Sequence, residues 1–423
     1  MFLGAKLRIA KMKTGEVFRI HWGWVVLETS FITLFINYSI RIGAYPILLP
    51  EMIKDLHLTK TQAGLIKSAF SITYLIFSPI MGLLTDRIGG RKVISFFCLF
   101  LGGGAFFMGR AENLFASAIC FGIVGIGAAA MWVPNAALIQ RWFGAKKRGL
   151  ALGILGASSG AGFGSMGLLL PVIVMEYNWR FGWYILGSAG LSLFLLNGLL
   201  LRNRPEDIGL SPWGGKLEEV RENNSSSKMM GYSEIMKQIQ FWIIGISYFF
   251  ISYGSYALLD FIVTYGSMEL NIPYGIASLL ITVAAFSGVP GGILLMMLAD
   301  HIGTKKSIVI IYVLVALTIL SVIFGGSHLL FLMIGVGGFG FLYGAIFPMV
   351  AAIARDYFPK ERTGTVLGLL TLFYGAGAMI SPVLTGYLAD ITRTFRWSFG
   401  LGAFAALIAA LLVAFLRRPR HIT

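Results

Sequence analysis

Twelve stretches of this chain stay apolar for roughly 20 residues at a time, the length a helix needs to cross the hydrocarbon core of a bilayer. They lie near 22–44, 61–84, 93–109, 114–138, 149–174, 181–201, 240–264, 276–298, 307–325, 329–354, 364–388 and 396–416. Inside a bilayer each backbone N–H and C=O must be satisfied within its own segment, so runs of this length are predicted as helices. Hydrophobic residues make up 57% of the chain and charged residues 13%, a balance that no soluble domain needs. The expected fold class is an all-α membrane protein with twelve transmembrane helices.

The runs repeat as a set. "GLLTDRIGGRK" (Gly82 to Lys92) returns as "LADHIGTKK" (Leu298 to Lys306), an offset of 214 residues. The same offset carries Asp86 onto Asp300, Gly89 onto Gly303, Asp55 onto Glu269, Pro134 onto Pro348 and Arg148 onto Arg362. Unrelated positions sharing one offset indicate an internal duplication. The expected organisation is two pseudo-symmetric six-helix halves, residues 1–201 and 239–423, joined by a cytoplasmic linker at 202–238. The linker is rich in Pro, Gly, Ser and mixed charge and is expected to be mobile, with a short surface helix at Leu217 to Glu222.

Charge sets the orientation. With the N-terminus inside, the tails and even-numbered loops hold 26 of the 34 Lys and Arg and 11 of the 19 acids. That excess equals the whole net charge of +15. This is the positive-inside pattern, which predicts both termini in the cytoplasm; the expected location is the plasma (inner) membrane. The basicity therefore speaks for topology and not for nucleic acid. The first 20 residues, basic and broken by charge, read as a tail and not as a cleavable signal. Cys98 and Cys120 fall inside apolar runs, so no disulfide framework is implied.

A short acidic–basic loop between two helices, once per half, resembles the signature loop of the major facilitator superfamily. The resemblance implies a cytoplasmic latch built from Gly82, Asp86, Arg87, Gly89 and Arg91, with Asp300, Gly303 and Lys305 as its second copy. "HWGWVV" (His21 to Val26), "RWFGAKKRGLALG" (Arg141 to Gly153), "NWRFGWYILG" (Asn178 to Gly187) and "RNRPEDIGLSPWG" (Arg202 to Gly214) narrow the likeness. They resemble the bacterial monocarboxylate and oxalate–formate porter branch, which implies secondary transport of small organic anions, often coupled to protons. The chain departs from that pattern in two places. Helix eight has no Arg and helix eleven no Lys where related porters carry substrate-binding cations.

Ionisable groups within the spans are read directly, because a charge at a helix centre costs about 2.5–3.5 kcal/mol on insertion scales. There are four: Glu28, Arg41, Lys67 and Asp260. Arg41 shares a helix face with Asn37, while Glu28, 13 residues away, points elsewhere and is either a structural group or a proton carrier. Lys67 either snorkels to the headgroups or faces the cavity. Helix seven, the counterpart of helix one, carries Tyr248, Ser252, Tyr256 and Asp260 at four-residue steps, with Tyr253 beside them. Aligning the two helices brings Arg41 next to Asp260 across the exterior half of the cavity. That pair reads as a gate that touches no substrate, as a substrate or proton site, or as two groups with separate structural roles. Asn135 and Trp132 in helix four, Tyr343 and Phe347 in helix ten, and Phe373 and Tyr374 in helix eleven are further cavity candidates or packing residues.

Enzyme motifs are missing. The five His are scattered, no Cys cluster has metal spacing, and no GxxxxGK[ST] loop is present, so ATP does not drive transport within this chain. The six glycines between 153 and 167 lack a βαβ setting and read as helix packing, not as a dinucleotide fingerprint. No cofactor is expected. The reading is a secondary active transporter of a mono- or dicarboxylate, working as a monomer in the bilayer, with a proton as coupling ion. Proton-driven efflux of amphipathic compounds and a non-transporting sensor on the same fold are the alternatives.

Overall fold

Capping residues divide the apolar sequence into separate spans. Thr59 and Gln62 close a reciprocal capping box, while Asn113 accepts from the Ala116 N–H and Asn178 from the Phe181 N–H. The computed structural model describes residues 21–215, 232–326, 328–359 and 362–416. Among them are twelve helices long and apolar enough to cross a bilayer. In the first half they are α1 (Trp22–Asp55), α2 (Lys60–Ile88), α3 (Gly90–Met108), α4 (Leu114–Trp142), α5 (Ala145–Glu176) and α6 (Trp179–Leu200). The second half has α7 (Ile239–Glu269), α8 (Tyr274–Ile302), α9 (Thr304–Phe324), α10 (Leu329–Tyr357), α11 (Thr363–Thr392) and α12 (Arg396–Ala414). The basic tail at 1–20 and the surface helix expected at Leu217 to Glu222 fall outside the described residues.

The duplication is visible in backbone angles. Gly89 ends α2 at φ 89°, ψ 145°, and Gly303 ends α8 at φ 90°, ψ 144°. Both lie in the positive-φ region that side chains avoid, which is why each copy of the loop needs glycine there. We call the end of the bundle that carries these two turns the loop end, and the opposite one the far end.

Two seams join the halves, α2 against α11 and α5 against α8, and they mirror each other. At the far end Asp390 accepts from the backbone N–H groups of Lys60 and Thr61 at 3.0 and 2.8 Å, and Tyr274 donates to the Ile47 carbonyl at 2.9 Å. Further in, Ser68 donates to Met379 and Thr282 to Gly164. Backbones touch here: a Cβ on Gly64 would sit 2.2 Å from the Pro382 carbonyl oxygen, and one on Gly167 2.4 Å from that of Ser278. Contact ends near Leu75 with Gly375 and near Gly160 with Val289. Beyond those points Gly82, Gly149, Gly153, Gly156, Gly364 and Gly368 face open space. The bundle is closed at the far end and open at the loop end.

Two expectations change. The first helix does not stop near residue 44. It continues to Asp55 by widening into a π turn at Ser39–Ala44, which accommodates Pro46, while Pro50 lies inside the α-helical stretch beyond it. The start of the linker is also not a loose chain. Trp213 exchanges backbone hydrogen bonds with Trp142 and Gly144 at 2.9 Å, and the Trp142 indole donates to the Arg202 carbonyl. His21 reaches the Ser211 carbonyl at 3.0 Å, its ring 5.1 Å from that of Trp213. Residues 201–215 are thus a strap pinned beneath α1, α4 and α5.

The far-end seam has no room for a larger residue. Gly64→Leu should force Pro382 away at a cost of about 1–3 kcal/mol. In a chain lacking Cys98 and Cys120, it should raise the reactivity of Ser68→Cys towards a polar thiol reagent. Unchanged labelling would show that the seam does not depend on this contact.

Candidate functional site between the two halves

Both cavity helices break where their charges lie. α1 carries Arg41 inside its π turn, a local register change common at functional positions. Pro46, five residues on, has no N–H to offer, and the Arg41 carbonyl accepts instead from Lys67 Nζ at 3.1 Å. α7 ends a regular stretch at Leu259, with Asp260 as its C-cap, and resumes through Ile262–Thr264 and a second π turn at Tyr265–Glu269.

The partner of Asp260 is Lys67, not Arg41. Lys67 Nζ lies 3.2 Å from Asp260 Oδ1, and both side chains are almost wholly buried, at 3% and 4% exposure. Lys67 therefore does not snorkel to the headgroups. Its ammonium also sits over the rings of Tyr45, Phe70 and Phe121 at 5.4–5.8 Å. Asp260 stands at the C-terminal end of a helical segment, where the backbone dipole disfavours an anion, so it depends on Lys67 for compensation. Its second oxygen, Oδ2, has no hydrogen-bond partner. A buried pair of this kind gains little net stability when intact but is costly to break from one side.

Arg41 lies on the open side of that pair, half-buried, with no acidic partner among the described residues. Its guanidinium carbon is 5.0 Å from the Tyr38 ring centre and 4.8 Å from that of Tyr74, and its Nε is buried without a partner. Two aromatic faces hold the planar cation in place, and the Tyr74 hydroxyl also engages it. One turn earlier, Asn37 is fully buried and neither amide atom has a partner.

Tyrosines from the second half complete the enclosure. Tyr256 stands within electrostatic reach of Arg41 and Tyr343. The Tyr343 and Tyr374 hydroxyls are 3.1 Å apart, and Tyr374 packs against Tyr248 with ring centres 4.6 Å apart. Arg41, Lys67, Asp260, Tyr256, Tyr343 and Tyr374 therefore form one group. Sequence reasoning missed Tyr38 and Tyr74, although Tyr38 is one helical turn from Arg41 and Tyr74 two turns from Lys67.

The other candidates lie elsewhere. Tyr253 is buried against α11, where its carbonyl accepts from Ser381. Asn135 donates to the Met131 carbonyl of its own helix at 2.7 Å. Phe373 packs on Phe241 and Trp242. Glu28 is exposed and unpaired, 13 residues from Arg41 towards the loop end. In the loops, Asp86, Arg87 and Asp300 are exposed, while Arg91 donates through Nε to the Gly198 carbonyl and through its backbone to Asn203.

The family model for the Major Facilitator Superfamily matches residues 30–273 and 244–423. Among curated relatives, a probable galactarate/D-glucarate transporter, GarP, of Escherichia coli (strain K12) is 23% identical over 428 residues, covering 93% of this chain and 95% of the relative. A hexuronate transporter of Bacillus subtilis (strain 168) is 24% identical over 413 residues, covering 93% and 94%. Among solved structures, a bacterial homolog of the human lysosomal transporter Spinster superposes with a TM-score of 0.73 at 16% identity, covering 93% of this chain and 97% of that one.

Lys67→Met should lower stability by about 3–5 kcal/mol by stranding Asp260 in a dry seam, and Lys67→Met with Asp260→Leu should recover most of that loss. Unfolding midpoints of the purified proteins check this. Equal losses in the single and double variants would show that the pair is not the source of the cost.

Proposed function

The chain belongs to the major facilitator superfamily, and we propose that it is a secondary active transporter of a sugar acid, with Arg41 as the carboxylate anchor. One observation carries the reading. A guanidinium without an acidic partner among the described residues stands where the halves meet, beside tyrosine hydroxyls, an unpaired amide and the mutually neutralised Lys67–Asp260 pair. A carboxylate entering a low-dielectric site needs a fixed cation, and arginine's fork matches its two oxygens. The hydroxyls and the Asn37 amide suit a polyhydroxylated chain. The relatives named for galactarate, glucarate and hexuronate support this class over the short mono- or dicarboxylates that the porter-branch motifs suggest. A site for amphipathic cations would have no use for a bare guanidinium.

By the positive-inside rule the loop end faces the cytoplasm, so this conformation is open inward. The Lys67–Asp260 pair then serves as a lock between the halves at the outer side, and a proton taken up by Asp260 releases Lys67 and loosens it. Closing the inner side would bring the two loops together, with Asp86 and Asp300 as latch residues beside the turns at Gly89 and Gly303. Substrate moves the equilibrium only as far as its affinity differs between the two states.

Calorimetry on purified protein with D-glucuronate tests the anchor. Arg41→Lys should weaken binding by about 10-fold or more, because at least one charge-assisted hydrogen bond is lost. Parent-like affinity in both Arg41→Lys and Arg41→Gln would rule Arg41 out. Asp86→Asn should slow uptake into reconstituted vesicles while leaving the binding constant near the parent's, and uptake at the parent rate would remove Asp86 from the latch.

A further inference from the structure

The charges around the site add up to a statement about the cargo. Three ionisable groups stand together where the halves meet: Arg41, Lys67 and Asp260. Lys67 and Asp260 neutralise each other at 3.2 Å, which leaves the Arg41 guanidinium as the single uncompensated charge. Glu28 does not enter the count. It sits 13 residues along α1, about 20 Å away at 1.5 Å per residue, exposed at the open mouth. Towards the far end, Asp390 is taken up by Lys60 and Thr61, Asp55 by Arg180 and Glu51 by Lys54. Every other polar group that the site offers is neutral: the hydroxyls of Tyr38, Tyr74, Tyr256, Tyr343 and Tyr374, and the Asn37 amide, whose two atoms are both buried without partners.

We propose that the transported species is a polyhydroxylated monoanion, a sugar acid with one carboxylate, and that the Lys67–Asp260 pair excludes dianions. This rests on the sugar-acid reading above and narrows it. A monoanion brings the site to neutrality with Asp260 still paired. A second carboxylate, or the second charge of a phosphate ester, finds no free cation. It can reach one only by displacing Asp260 from Lys67, which leaves a buried carboxylate whose Oδ2 already lacks a partner, at the unfavourable end of a helix segment. Size alone does not separate the two classes, since a uronate and an aldarate of equal chain length differ by one oxidised carbon. Charge separates them.

The test compares D-glucuronate, D-glucarate and glucose 6-phosphate by calorimetry at pH 8, where the first is singly and the other two doubly charged. The parent should bind the uronate at least about 10-fold more tightly than either dianion. Asp260→Asn adds one net positive charge to the site and should bring the dianions level with the uronate or ahead of it. Lys67→Gln with Asp260→Asn returns the count to one and should restore the parent's order, an outcome that loss of packing does not produce. A parent that binds either dianion as tightly as the uronate overturns the inference and leaves the sugar-acid reading standing, as does an Asp260→Asn protein with unchanged selectivity. Absence of binding by all three compounds overturns the sugar-acid reading, and this inference with it. If Asp260→Asn does not fold, the order in the parent and in the double variant decides.

Discussion

A lysine on α2 and an aspartate on α7, buried together 3.2 Å apart, tie the two halves at a depth that water does not reach. Each alone would cost several kcal/mol there, and each is acceptable because the other half supplies its counter-charge. The rest of the site follows from that exchange. With Asp260 taken by Lys67, Arg41 has no acid of its own and turns its guanidinium between Tyr38 and Tyr74. With the Arg41 carbonyl taken by Lys67, the irregular turn of α1 gains a donor from α2 that proline denies it locally. One ammonium therefore fixes the seam, the free charge and the backbone that carries it.

The two breaks in α1 and α7 set local regularity against function. A continuous helix would satisfy more of its own backbone, and in a bilayer that is the cheaper arrangement. This chain interrupts both helices at equivalent levels, with a π turn at Ser39–Ala44 and a discontinuity from Asp260 through Tyr265–Glu269. Irregular backbone survives at such depth only where protein or a water-filled cavity surrounds it, and both breaks lie at the meeting of the halves. Asn37 and Arg41 Nε lie at the same level as these breaks, buried without hydrogen-bond partners.

Much of this was legible in the residues. Run length and a 214-residue offset are properties of the chain itself, so the helices and their duplication could be read without coordinates. The four charges within the spans could be listed the same way, because insertion cost makes each one conspicuous. Their pairing could not. Helix-wheel alignment places residues around one axis but does not say which neighbouring helix approaches, and α2 brings Lys67 between Arg41 and Asp260. The first apolar run ends near residue 44 in the sequence, and only the packed structure shows a π turn carrying the helix on to Asp55. The strap at 201–215 has the composition of a flexible linker, and its order comes from tryptophan and backbone contacts with residues 60 or more positions earlier.

The mirrored end points of the seams have a mechanical consequence. Contact stops at Leu75 with Gly375 on one side and at Gly160 with Val289 on the other. In the four helices concerned, roughly 20 Å of rod extends from these points in either direction at 1.5 Å per residue. The line through them is a fulcrum near the middle of four beams with arms of similar length. A tilt of roughly 15° about that line would move the beam ends by about 5 Å, close to one helical turn. Because the arms are balanced, leverage favours neither end. What the two ends hold, and not their leverage, then sets which end stays closed.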